Sequence, residues 1–229
     1  MYSVVMATRP DEPYIGEALA SIYAQTLPPE RVLVVVNGPG APDSALHATI
    51  PARFPDVELH VHPQPSMSAA FAYAVPLLDS EYVAVLDADD VWASEKQERQ
   101  LARLGADTRP DAVCCTAVNF HTEPDGTVVE GLAVSTRMFG ATTFRRDAFD
   151  RFGLPDPGAD HFAWLFRWWA AAQAAGIVVE SIAYRGLRRR VHPGSGWVAE
   201  PEYGRATLMA ELRRISRERR AGTAGEATA

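Results

Sequence analysis

The stretch "YVAVLDADDVW", Tyr82–Trp92, decides the fold. Its apolar run Tyr82–Leu86 reads as a buried strand, and the run ends in three carboxylates within four positions, Asp87, Asp89 and Asp90. Open α/β sheets bind their ligands beyond the carboxyl ends of their strands. Acids packed so closely repel one another, which favours either protonation or a cation. A hard divalent cation, Mn2+ or Mg2+, relieves the repulsion, needs few protein carboxylates, and completes its shell with water and substrate phosphate. The plainer alternative is a helix N-cap among solvated acids, because "SEKQERQLARL" (94–104) follows with a serine at its start.

Outward from this stretch, strands and helices alternate through about residue 105. "SVVMAT" (3–8), "RVLVVV" (31–36) and "VELHVH" (57–62) read as strands. In "YIGEALASIYAQT" (14–26), Ile15, Ala18, Leu19, Ile22 and Tyr23 recur at helical spacing. A weaker helix is expected at 42–53, and another at 66–78, ended or kinked by Pro76. "NGPG" (37–40) is a turn signal. The near-continuous apolar strands suit a parallel sheet covered on both faces. The second half differs. "DAVCCTAVNF", "GTVVEGLAV" and "MFGATTFRR" read as strands, with a Pro-Asp-Gly turn (124–126) between the first two. A helix is expected at 160–176, capped by Gly176, then a strand "IVVESIAY", a basic loop "YRGLRRRVHPGSGW" (184–197), and a helix at 205–220. No repeat or linker interrupts the chain, and the final residues 221–229 read as a disordered tail.

Composition sets the outer bounds. The 229 residues, 47% hydrophobic, suit one large domain. A net charge of -7 argues against a nucleic-acid binder that relies on bulk positive charge. No apolar run approaches the roughly 18 residues that span a bilayer, and the opening "MYSVVMATRP" has the wrong flanks for a secretion signal. Cys114 and Cys115 are adjacent and read as two reduced, buried thiols, so the expected location is cytoplasmic.

Four segments, in order, carry a resemblance: "SVVMATRPDEPYIGEALASIYAQTLPPERVLVVVNGPG", "YVAVLDADDVWASEKQERQLARL", "ATTFRRDAFDRFGLPDP" with "GADHFAWLFRWWAAAQAAG", and "YRGLRRRVHPGS". Together they resemble the family 2 nucleotide-sugar-dependent glycosyltransferases over roughly residues 2–197. The resemblance implies an α/β fold, a single GT-A domain with a Rossmann-like, mostly parallel mixed sheet flanked by helices. It implies a nucleotide-binding half at about 1–105, an acceptor half at about 106–200 and a C-terminal helix at about 201–220.

It also implies site residues. Ala7, Thr8, Arg9, Asn37 and Ala88 would line the donor pocket. Asp89 would hold the metal, with Asp87 towards the ribose or metal waters and Asp90 supporting the cluster. Asp160 matches the general base of an inverting displacement. In the basic loop, Arg190 and its neighbours Arg185, Arg188 and Arg189 would meet the diphosphate, His192 would approach the metal, and Gly194 and Gly196 would let the loop close. The implied partners are a nucleoside-diphosphate sugar and a small-molecule, lipid-linked or glycan acceptor. Four positions depart from the family pattern: Thr8-Arg9-Pro10 for the usual Thr-Tyr-Asn, Asn37 for an aspartate, Phe71-Ala72 for an Arg-Asn pair, and Ala159 for a glutamate. A non-catalytic nucleotide-sugar binder or partner subunit is therefore the alternative, and a nucleotidyltransferase a further one, disfavoured because "ATRPDEP" lacks glycine. Trp164 and Trp168, four apart, read as core rather than sugar platforms. Leu208, Leu212 and Ile215, followed by arginines, suit packing on the domain, a second subunit in a homodimer, or peripheral contact with an anionic membrane.

Overall fold

The computed structural model describes residues 1–135, 137–159 and 163–226, with side chains at 135, 196, 197 and 218–226 left aside. In chain order the elements are β1 (Tyr2–Thr8), α1 (Ile15–Tyr23), β2 (Arg31–Asn37), α2 (Leu46–Arg53), β3 (Val57–His62), α3 (Met67–Ala74), β4 (Tyr82–Val85), β5 (Val91–Trp92), α4 (Lys96–Leu104), β6 (Ala112–Thr122), β7 (Val128–Ser135), β8 (Thr142–Arg145), α5 (Arg146–Phe152), α6 (Trp164–Ala174), β9 (Val179–Arg190), α7 (Gly196–Ala199) and α8 (Pro201–Glu226). Among the described residues nine strands form one sheet, in the order β3-β2-β1-β4-β8-β6-β9-β5, with β7 also paired to β6. The first four strands are parallel. Strand β8 then enters antiparallel between β4 and β6. Strand β9 runs parallel to β6, and the short β5 runs antiparallel to β9.

The apolar strands divide their side chains between two covers, as the period of two requires. Val4, Met6, Val32, Val34 and Val36 face Ile15, Leu19 and Ile22 of α1. Val5, Ala7, Leu33 and Val35 face Ala70, Phe71 and Ala74 of α3 and the tryptophans of α6. Trp164, Trp168 and Trp169 are all buried, so they are core, as their spacing indicates. Phe139 sits among them, with ring centroids 5.0 Å from Trp164 and 5.1 Å from Trp168 in edge-to-face contact. Phe71 joins the same cluster, 5.6 Å from Trp164. Here it is a core residue and not a substitute for a polar group at the ligand.

Three local expectations change. The basic stretch 184–197 is not a loop over most of its length. Strand β9 extends through Arg190 because β6 pairs with it from Thr116 to Phe120 and β5 pairs at Leu187 and Arg188. Helix α4 begins at Lys96 rather than at a serine cap. The orphan N–H of Gln97 is satisfied from just beyond the end of α1, by Gln25 Oε1 at 3.1 Å. Helix α8 runs past residue 220 to Glu226, since an existing helix propagates through alanine without a new nucleus.

One buried charge stands apart from these pairings. Lys96 is fully buried, and its Nζ has no hydrogen-bond partner among the described residues. It lies 4.2 Å from the Trp92 ring centroid. Its alkyl stem and Cys115 leave no room above Gly186, where an added Cβ would lie 2.7 Å from Cys115 Sγ. Burial pulls the Lys96 ammonium down from 10.5 to about 8. Below pH 8 both folded and unfolded chains carry the proton, and the folded chain bears the full desolvation penalty. Between 8 and 10.5 only the folded chain has released it, so the penalty fades as pH rises. Lys96→Met is therefore expected to stabilise the protein at pH 7 by on the order of 3 kcal/mol. Urea titrations at pH 7 and pH 10 should show that gain shrinking at the higher pH.

Candidate active site

The segment after β4 is held from three sides. Leu86 donates its N–H to Val5 O at 3.2 Å, continuing the β1–β4 ladder. Asp90 donates its N–H to Asp87 O at 3.1 Å, which closes a turn. The buried Asp90 side chain then accepts the N–H of Arg190 at 2.8 Å and so ties this turn to the end of β9. Behind it, Trp92 donates its backbone N–H to Ser21 Oγ at 3.1 Å and its indole N–H to Gly140 O at 2.9 Å. Gln25 Nε2 reaches Ala93 O at 2.9 Å while its Oε1 caps α4. Thr26 N–H donates to Ser94 O at 2.9 Å. The Ala-Gln-Thr at the end of α1 is thus a clamp on the chain that leaves the acid cluster.

With Asp90 turned inward, Asp87 and Asp89 face a cleft of about 280 Å³. The cleft is lined by the end of β1 (Ala7, Thr8, Arg9), by Asn37, by Asp87, Ala88 and Asp89, and by His192 with Gly194 and Ser195. Every expected pocket and metal residue among those described converges here except Arg190 and its neighbours Arg185, Arg188 and Arg189. Glu12, Pro65 and Met67 complete the lining. The NGPG turn is built for this convergence. Gly38 has φ +105, and a Cβ there would lie 3.2 Å from Pro65 Cβ, so only glycine lets the two walls meet. Asn37 Nδ2 donates to Gln64 O at 3.3 Å, which leaves its Oδ1 as the acceptor offered to the cleft.

Arg190 does not reach the cleft. Its guanidinium donates to Asp89 O at 3.0 Å, pairs with Glu17, and stacks over the rings of Tyr14 and Phe120 at 4.2 and 4.6 Å. It braces the acid turn from below. Arg188 is held by Glu130 at 3.2 Å, and Arg185 points to solvent. Arg189 is the guanidinium whose charge acts on the acids, opposing the rise of both Asp87 and Asp90. On the opposite rim Arg9 pairs with buried Glu12 at 3.0 Å, and Glu12 also accepts the N–H of Tyr14 at 3.2 Å. Periodicity carries no sign of Glu12 or Tyr14, since both lie in a turn between elements.

The electrostatics follow from this crowding. Burial first, and repulsion from Asp89 second, push Asp87 up to about 7. Burial raises Asp90 well above the usual carboxylate range, with both neighbouring acids adding to it. His192 Nε2 lies 3.2 Å from Asp89 Oδ2, and its Nδ1 accepts the N–H of Gly194 at 3.3 Å. An imidazole that accepts at Nδ1 carries its proton at Nε2, towards Asp89. For the neutral ring to ligate a metal through Nε2, that proton must sit on Nδ1 instead, and the Gly194 bond must break. Among the described residues no three His, Cys, Asp or Glu side chains converge closely enough to hold a metal alone. Two half-buried carboxylates beside one imidazole fit a hard divalent ion that draws most of its shell from a ligand. Asp160, the expected base, and His161 lie outside the described residues.

The fold is that of GT-A glycosyltransferases. The mannosyltransferase PcManGT from Pyrobaculum calidifontis, solved with GDP-Man and Mn2+, superposes with a TM-score of 0.65 at 18% identity, covering 94% of this chain and 64% of that one. S. aureus TarS 1–349 gives 0.64 at 17% identity, covering 82% and 60%. Its complex with UDP-GlcNAc gives 0.63 at 18% identity, covering 85% and 59%. This chain therefore spans about three-fifths of the length of those proteins. Among curated proteins none matches. Residues 3–167 match the family described as Glycosyl transferase family 2, and the chain belongs to that family.

The clamp at the end of α1 is open to a direct test. Gln25→Ala leaves the N–H of Gln97 and the carbonyl of Ala93 without their partner in a buried place. A loss of about 1–3 kcal/mol is expected by chemical denaturation.

Proposed function

We propose that this protein transfers a sugar from a nucleoside-diphosphate sugar to an acceptor hydroxyl with inversion at the anomeric carbon. The observation that carries this reading is the single cleft shared by the end of β1, Asn37, the two cleft-facing acids and His192. The complexes of PcManGT with GDP-Man and of TarS with UDP-GlcNAc support the donor class.

Asn37 Oδ1, fixed by the bond to Gln64, meets a base that presents a ring N–H. Uracil and guanine present one; adenine and cytosine present a lone pair at the corresponding edge. Arg9, oriented by Glu12, extends a planar fork of donors towards the diphosphate side of the cleft. Asp89, with Asp87 and His192 beside it, would hold Mn2+ or Mg2+, which supplies neutralisation of the charge that develops on the departing diphosphate. Asp160 takes the acceptor proton as the new oxygen–carbon bond forms and the bond from the anomeric carbon to the phosphate oxygen breaks. Base and leaving group on opposite sides of the ring give inversion, as in inverting hydrolases. The acceptor is a small molecule, a lipid-linked intermediate or a glycan, and the reaction belongs to the cytoplasm.

Titration calorimetry with UDP, GDP, ADP and CDP, each with and without Mn2+, tests the donor side. UDP or GDP should bind at least about tenfold more tightly than ADP or CDP, because a base lacking the ring N–H leaves Asn37 unpaired. Asp89→Asn should abolish the Mn2+-dependent part. Released diphosphate, measured with nucleotide sugars and a panel of acceptors, separates transfer from binding alone. Asp160→Asn should lower turnover by about 10²–10⁴ with donor affinity retained. Equal turnover in variant and wild type would remove Asp160 from the reaction.

A further inference from the structure

Helix α8, Pro201–Glu226, is longer than its packing explains. Gly204 and Glu211 are its buried positions among the described side chains, and Leu208 and Ile215 are partly covered on the same side. Glu211 anchors that side to α6 by accepting from Arg167 at 2.6 Å, with Arg214 adding a second bond at 2.8 Å. At 3.6 residues per turn, Arg205, Met209, Leu212, Arg213, Ser216 and Arg217 fall within about 140° of arc on the outward side, which begins next to Leu208. All six are exposed, and Met209 and Leu212 leave 49% and 47% of their surface in solvent. Leu212, Arg213, Ser216 and Arg217 line one shallow depression. One carboxylate, Glu202, shares the face, in the first turn.

We propose that this face of α8 docks on an anionic lipid bilayer, lying on it rather than crossing it. Charge complementarity selects the occupant. The chain carries a net charge of -7, yet residues 201–226 hold more arginines than carboxylates, and the outward face has three arginines around its apolar pair. Guanidinium groups flanking Met209 and Leu212 reach the headgroup layer while their stems follow the apolar side chains below it. A second copy meeting the same face would set arginine against arginine, which disfavours a two-fold contact. Among the described residues no helix is long and apolar enough to span a bilayer. Docking by α8 does not depend on the transferase reading.

The test uses the full chain and two kinds of vesicle, phosphatidylcholine alone and phosphatidylcholine with phosphatidylglycerol at about a quarter of the lipid. Co-sedimentation at low salt should show binding to the anionic vesicles, weakened by added salt. The double variants Arg213→Glu/Arg217→Glu and Met209→Ser/Leu212→Ser should each reduce it by about tenfold or more, each basic residue near such a surface being worth about 1 kcal/mol. Circular dichroism and diphosphate binding of both variants should match wild type, which separates lost docking from lost folding. Absence of vesicle binding, equal binding to neutral vesicles, or undiminished binding by the charge-reversed variant would overturn the proposal. A dimer in sedimentation velocity that the apolar variant dissolves, with no vesicle binding, would assign the face to a second copy instead.

Discussion

A buried bond ties the turn after β4 to the end of β9. The N–H of Arg190 meets the carboxyl of Asp90 across 100 residues of chain, and on this contact depends which acids face the cleft. Asp90 turned inward leaves Asp87 and Asp89 turned outward, and the same bond brings the end of β9, with His192 two residues later, over the acid turn. The cost is a carboxyl taken out of water beside two others. A backbone N–H and the guanidinium of Arg189 offset part of that cost.

Around this bond the supporting contacts form two layers. The aromatic and cationic pairings of Arg190 with Tyr14, Phe120 and Glu17 brace the underside. The clamp from Ser21, Gln25 and Thr26 fixes the chain as it leaves. A site that must orient a charged ligand is better served by side chains whose own positions are already fixed than by mobile ones. Here the acids, Asn37 and Arg9 each have a partner or a wall behind them.

The parallel half of the sheet was legible because its strands are apolar on both faces, and such runs have few other readings. The place of the acid cluster was legible too, since carboxylates directly after an apolar run mark the point where a buried strand reaches the surface, and there Asp87 and Asp89 line the cleft. Strand β9 was not. Arginines at 185 and 188–190 look like a loop to any reading based on polarity, and only pairing with β6 on one side and β5 on the other makes them a strand. The same blindness hid the role of Gln25. A glutamine at a helix end shows nothing of the distant N–H it caps, because that contact exists only after α1 and α4 have packed. Glu12 and Tyr14 escaped notice because turn residues carry no periodic signal.

Gly186 has a consequence for the cleft. The Cys115 sulfur lies so close under that backbone that even a methyl group there would overlap it. Any side chain at position 186 would need the same space, so a substitution there would have to lift β9 from β6 or displace Cys115. The strand that would be lifted ends in Arg190 and leads into His192. A residue with no side chain, well away from the cleft, thereby helps to set the path of the strand that carries the acid turn's partner.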